Sequence, residues 1–203
     1  MSRFFNLDNP VWKFIGRIAD LFVLSILWYI CLIPVITTGS ATSALYYVTL
    51  KMTRNLEGKI VSQFFESFKD NLKQTVIPWT SGLITVLFLF IDIRMALLRP
   101  STLSLALTIC FLICAFMLIV FLSMLFPLIA RCNDSIKIQL KNCMGICIKN
   151  PLACVSVALI TVSVFLFAVF VFWPLLIIAP GLSAYINSYV INNIFHKYSM
   201  DLQ

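Results

Sequence analysis

Few residues in this 203-residue chain have side chains suited to making or breaking bonds. His196 is the only histidine, and it falls at the end of the last apolar stretch, where a cation at a helix C-terminus is favourable. Seven cysteines stand at positions 31, 110, 114, 132, 143, 147 and 154. Cys110 and Cys114 are four apart, as are Cys143 and Cys147, so each pair shares one helix face. This is not the spacing of a zinc knuckle, and no histidine or acid cluster accompanies it. Small, apolar, reduced packing residues are the expectation. No nucleophile–base set, glycine-rich phosphate loop or paired carboxylates can be assembled. The chain is therefore expected to be no enzyme and to carry no metal or cofactor.

The remaining polar chemistry is hydroxyl and amide. One group surrounds a break at Pro34, Thr37, Thr38, Gly39 and Ser40; a second surrounds Pro174, Pro180, Gly181 and Asn187, with Ser183 and Ser188 beside it. Two uses are open. Such groups hydrogen-bond helix to helix next to small residues, or they line a path for an uncharged, hydroxylated solute where helices break. A proton- or sodium-coupled carrier would hold a carboxylate in mid-membrane. Only Asp20, three residues on from Arg17, and Asp92, near Arg94, border the apolar stretches.

The elements that must position these groups lie in lipid. Hydrophobic residues make up 61% and charged residues 11%, with a mean hydropathy of +1.00. A soluble domain has about 45–50% apolar and about 25% charged residues, and no water-soluble fold of this size can hide the surplus. Disordered chains, disulfide scaffolds and nucleic-acid binders are excluded. The net charge of +7 reports orientation in a membrane.

Asp, Glu, Lys, Arg and His are missing from residues 21–50, 74–91, 100–130 and 150–195. A crossing helix needs roughly 20 apolar residues. The last window holds two, parted near Trp173-Pro174 and Pro180-Gly181. The first is one crossing or a hairpin of two short ones. Lys and Arg decide between these. Six crossings place 13 basic residues on one side against 2, whereas five place 10 against 5. The sharper bias is preferred. The expectation is a single all-α membrane domain over 1–203, with spans of about 18–35, 40–54, 75–92, 102–130, 151–173 and 175–195. Both termini are then cytoplasmic.

Three segments between crossings have helical stripes. In 59–73, Ile60, Val61, Phe64, Phe65, Phe68 and Leu72 stripe one side, with Lys59, Glu66, Lys69, Asp70 and Lys73 on the others. In 135–149, Ile136, Leu140, Cys143, Met144, Cys147 and Ile148 run beside Lys137, Lys141 and Lys149. Val11, Phe14, Ile15 and Ile18 form a third stripe, ahead of the first crossing. Each is expected to lie in the headgroup layer with its basic face toward anionic lipid. The sharper alternative is a docked cytoplasmic protein on 59–73, met by Lys59, Phe64, Phe65, Glu66, Phe68, Lys69, Asp70 and Lys73. A faint repeat accompanies the layout: Pro34, Ser43 and Ala44 match Pro174, Ser183 and Ala184 at one offset.

Phe5-Asn6-Leu7-Asp8-Asn9-Pro10, Ala19-Asp20-Leu21 and the run from Leu32 through Ile33-Pro34-Val35-Ile36-Thr37-Thr38-Gly39-Ser40 to Tyr47 resemble the opening of the YesL-like family. The similarity continues through Phe64 to Gln74, Phe126-Pro127-Leu128-Ile129-Ala130-Arg131 and Pro180-Gly181-Leu182-Ser183-Ala184-Tyr185. These are bacterial integral membrane proteins with a domain of unknown function and no catalytic motif. The resemblance implies a companion of carbohydrate ABC importers, accessory or regulatory, contacting membrane lipids and either permease subunits or further copies of itself. A small carrier or channel for a neutral solute such as a sugar is the alternative.

Overall fold

A computed structural model describes residues 10–56, 58–98, 102–132 and 134–197. The Phe5–Asn9 part of the family resemblance, Arg99 and the segment 198–203 lie outside these, as do the side chains of Val11 and Lys13. The described residues form seven α-helices and two short 3-10 turns, without a strand. The helices are α1 (Pro10–Leu32), α2 (Thr38–Met52), α3 (Ile60–Leu98), α4 (Thr102–Arg131), α5 (Ile136–Lys149), α6 (Pro151–Phe170) and α7 (Ala179–Lys197). The turns, Val35–Thr37 and Trp173–Ile177, precede α2 and α7.

Four helices are long and apolar enough to cross a membrane, within Phe14–Leu32, Ile60–Ala96, Leu103–Arg131 and Pro151–Phe170. They mark the chain as a membrane protein. The expected second and sixth spans correspond to α2 and α7, which fall short of that standard. The 15 residues of α2 extend roughly 22 Å at 1.5 Å per residue, less than the ~30 Å of hydrocarbon. The 19 residues of α7 are diluted by asparagine, serine and tyrosine.

Two of the three stripes expected in the headgroup layer are not separate helices. The stripe before the first crossing is the first part of α1, and residues 60–73 run without a break into the apolar stretch that follows, giving the 39-residue α3. Nothing in 70–78 stops a helix, since Pro78 removes only one ladder bond in a setting where the rest are retained. The third stripe does form its own helix, α5.

Burial follows the polar residues. Twelve positions of α2 are buried, including Thr38, Ser40, Ser43, Tyr46 and Thr49, and α1, α3, α4 and α7 pack around it. The outer half of α4 is exposed at Leu103, Leu105, Ile109 and Leu112. At the far end of α2, Asn55 has φ 54°. Asn55 N–H donates to Met52 O and Leu56 N–H to Lys51 O, a Schellman closure in which asparagine tolerates the left-handed conformation.

Candidate functional site

The two helix breaks singled out in the sequence are closed by side chains. Where Pro34 interrupts the ladder, carbonyls are left over, and in lipid each needs a donor. The Thr37 hydroxyl reaches Cys31 O at 2.7 Å and Pro34 O at 2.8 Å; Thr38 Oγ1 donates to Val35 O at 2.9 Å. Trp79 Nε1 of α3 also donates to Val35 O, at 2.7 Å. Gly39 lies under α3: a Cβ there would stand 3.0 Å from Trp79 Cβ and 3.1 Å from Thr75 O. The buried Ser40 hydroxyl meets that of Thr75 at 2.5 Å.

The second break is closed from α1. Tyr29 donates its hydroxyl proton to Leu176 O at 2.8 Å, and Ser25 Oγ reaches Ile178 O at 3.2 Å while accepting from Gly181 N–H at 2.9 Å. A Cβ at Gly181 would fall 2.6 Å from Leu21 O, so only glycine permits this crossing. Pro174 is the second residue of the 3-10 turn and is exposed, whereas Pro180 is buried.

Beyond the breaks, α2 and α7 run side by side in the same direction, joined by a polar seam. Asn187 Nδ2 donates to Tyr46 Oη at 3.2 Å and to Thr161 Oγ1 of α6 at 2.8 Å. Ser188 Oγ donates to Thr49 Oγ1 at 2.9 Å, and Asn192 Nδ2 to Thr53 Oγ1 at 2.7 Å. The residues joined between α2 and α7 are 139 to 142 apart in sequence. That matches the offset of 140 relating Pro34, Ser43 and Ala44 to Pro174, Ser183 and Ala184. The faint repeat thus has a structural counterpart: a helix, a 3-10 turn and a buried polar helix occur twice, as α1–α2 and α6–α7. Within this seam the hydroxyl and amide groups bond helix to helix, and Asn187 Oδ1 is buried with no hydrogen-bond partner.

The surface expected at 59–73 divides. Phe64 is fully buried and stacks on Phe68, their ring centroids 6.4 Å apart, so this side of the stripe enters the protein core. Ser67, Asn71 and Thr75 continue the buried face, a polar track that the apolar stripe did not reveal. Phe65 points outward, together with Lys59, Glu66, Lys69, Asp70 and Lys73.

Glu66 and Asp70 line a polar cleft of about 80 Å³ with Tyr47, Ser67, Asn71 and Arg131. Sequence reasoning missed its key cation. Arg131 is 6% exposed, with its guanidinium carbon 4.6 Å from the Phe195 ring centre and Nη1 donating to Asn192 Oδ1 at 3.2 Å. The available signal was one arginine after thirty-one uncharged residues, beside i, i+4 pairs of Glu66 with Asp70 and Ser67 with Asn71. Water occupies about 30 Å³ per molecule in the liquid. The cleft therefore has room for a few waters or one short polar side chain. It holds carboxylate acceptors, amide and hydroxyl groups and a guanidinium, a set suited to recognising a polar group at the bundle's end.

Arg17 donates to Tyr185 Oη at 3.0 Å and to Asn55 Oδ1 at 2.5 Å. Among the described residues, no group of three His, Cys, Asp or Glu side chains is placed to hold a metal. Just outside α4, burial pushes the Cys132 thiol above its ordinary range; the Asp134 charge adds to that and Arg131 opposes it.

Residues 21–93 match the family described as protein of unknown function, DUF624, in agreement with the YesL-like resemblance. The matched stretch takes in the second half of α1, the first break, α2 and most of α3. Neither the curated proteins nor the solved structures contain a match to the chain.

Proposed function

We propose that this chain, with its DUF624 domain over residues 21–93, is a non-enzymatic membrane protein that serves as an accessory or regulatory companion of carbohydrate ABC importers. Its setting is the bacterial cell membrane, with six crossings, α2 and α7 being the short ones, and with both termini in the cytoplasm. One observation supports this most. The polar seam between α2 and α7 bonds helix to helix, while Glu66 and Asp70 stand exposed on a cleft, with Phe65, Lys69 and Lys73 exposed on the same helix and Lys59 exposed just ahead of it. That end of the bundle offers a partner both charge and an aromatic ring.

The test is charge reversal. Glu66→Lys with Asp70→Lys strengthens attraction to anionic lipid by about 1 kcal/mol per added basic residue near the surface. Against a protein partner that pairs with these acids, like charges cost several kcal/mol. The variant should fold and insert normally, yet lose a co-purifying permease subunit and slow growth on the relevant oligosaccharide. Wild-type growth and co-purification would overturn the proposal. Orientation has its own test: an engineered cysteine near residues 94–100 should be labelled from outside, and one at Gly58 should not.

A further inference from the structure

Helices α1 and α7 run antiparallel, in a register set by their contacts. Arg17 meets Tyr185, Leu21 O lies against Gly181, and Ser25 reaches Ile178 O. Along one flank of this pair runs a slot of about 290 Å³. Its walls are Ile18 and Leu21 of α1 and Leu175, Ile178 and Leu182 of the second turn and the start of α7. By that register Arg17 and Tyr185 stand at one end, beside Phe14, and Leu175 and Ile178 at the other.

The polar end is fixed in place. Arg17 donates from Nη1 to Tyr185 Oη and from Nη2 to Asn55 Oδ1, at 3.0 and 2.5 Å. Tyr185 Oη lies 2.8 Å from Tyr189 Oη, and the two rings meet edge to face at 5.3 Å. A guanidinium has five N–H donors in one plane, so these two bonds orient it while using only part of its capacity. Arg17 is half-buried, and Arg54, next to Asn55, is exposed and adds positive charge. Among the described residues no carboxylate lines the slot; Asp20, three residues on from Arg17, is not part of it.

In a bilayer the surroundings of this flank are lipid. Hydrocarbon fills an apolar slot through many small dispersion contacts. A phosphate takes a guanidinium through charge-assisted hydrogen bonds, and arginine and tyrosine anchor at headgroup depth. The larger groove of about 720 Å³ beside α3, α4 and the α5–α6 corner differs. None of its described lining residues is charged, so it holds hydrocarbon without choosing a headgroup.

We propose that the α1–α7 slot binds one anionic phospholipid, with its phosphate on Arg17 and Tyr185 and one acyl chain along Ile18, Leu21, Ile178 and Leu175. The occupant is a lipid because most of the slot is apolar, which a free anion would leave unfilled. It is anionic because the lining offers a cation and no carboxylate to receive the ammonium of a zwitterionic headgroup. Bound there, the lipid ties α1 to α7 beside the second helix break and stabilises the folded chain.

The test uses the full chain, stripped of lipid in a neutral detergent. It is offered phosphatidylglycerol, phosphatidylcholine with the same chains, or inorganic phosphate. Native mass spectrometry should show phosphatidylglycerol retained in preference to phosphatidylcholine, and the melting temperature should rise with it. Inorganic phosphate should do neither. Arg17→Gln keeps hydrogen-bond donors without the charge and should weaken phosphatidylglycerol retention about tenfold. Ile18→Trp, at an exposed position on the slot wall, should lower it by crowding the chain. Phosphatidylglycerol with a diazirine in its tail, reconstituted with the wild type in nanodiscs, should cross-link to peptides containing Leu21, Leu175 or Ile178. Equal retention of the two lipids would overturn the headgroup assignment. Equal stabilisation by inorganic phosphate would overturn a lipid as the occupant, and cross-links confined to the α3–α4 groove would overturn the place. The competition and the cross-linking use the wild type, so they decide the matter even where a variant folds poorly.

Discussion

Helix α2 and the outer half of α4 show how lipid reverses the familiar arrangement of a protein. Helix α2 contains serine, threonine, tyrosine and glycine, and twelve of its residues are buried. The outer half of α4 is almost purely apolar and stands exposed, with Leu103 at 72% and Met117 at 63%. In water, apolar side chains would gather inside. In a bilayer the surroundings are as apolar as leucine, so association is driven by close packing and by hydrogen bonds between helices. Polar residues then move inward because each unsatisfied group costs several kcal/mol in hydrocarbon.

The comparison can be broken first at Phe64, which with Phe195 is the largest side chain in the described residues with no exposure. Phe64→Ala should lower stability by about 3–5 kcal/mol, in the range for emptying an aromatic site in a core. Phe65→Ala, on the outward side of the same turn, should cost less than about 1 kcal/mol. Equal losses in a detergent-denaturation titration would return both rings to the lipid or partner surface.

Gly181→Ala comes next. Its new methyl would sit 2.6 Å from Leu21 O, and the expected cost is about 1–3 kcal/mol or more from overpacking at the α1–α7 crossing. Gly145→Ala, with nothing within 4 Å of the added carbon, should be neutral or gain up to about 1 kcal/mol in helix propensity. If both behave alike in a thermal melt, the crossing is looser than described.

Asn187→Ala should cost about 1–2 kcal/mol. It removes two hydrogen bonds, which within membranes average about 0.6 kcal/mol and reach about 1.7. Pairing it with Tyr46→Phe in a double-mutant cycle should give losses that do not add. The smallest effect is expected at Leu105→Ala, 64% exposed in the outer half of α4, which should shift stability by less than about 0.5 kcal/mol in lipid. A loss comparable to that of Asn187→Ala would mean that this face is covered by protein.

Helix α5 was legible nearly to the residue, 135–149 against Ile136–Lys149, because Ser135 and Asn150-Pro151 bound it. The breaks at Pro34 and Trp173-Pro174 were legible too, since proline removes ladder bonds wherever it occurs. The candidate site was half legible. Glu66 and Asp70 were singled out from their stripe, but Arg131 and Tyr47 reach the same cleft from other helices, and no local spacing encodes that.

What the amino-acid order determined alone is the medium and part of the punctuation: a chain for lipid, mostly helical in its described residues, broken near Pro34 and Trp173-Pro174 but not at Pro78 or Pro127. What only the tertiary structure decided is which side of each helix faces protein. Phe64 went inward and Phe65 outward although both are phenylalanine on one turn, and α2 became the centre of the bundle although it is less apolar than its neighbours. The reason is that hydropathy separates lipid from water but not lipid from a protein interior. That second choice rests on small residues allowing contact and on hydrogen bonds finding partners some 140 residues away, as Tyr46 finds Asn187 and Thr49 finds Ser188.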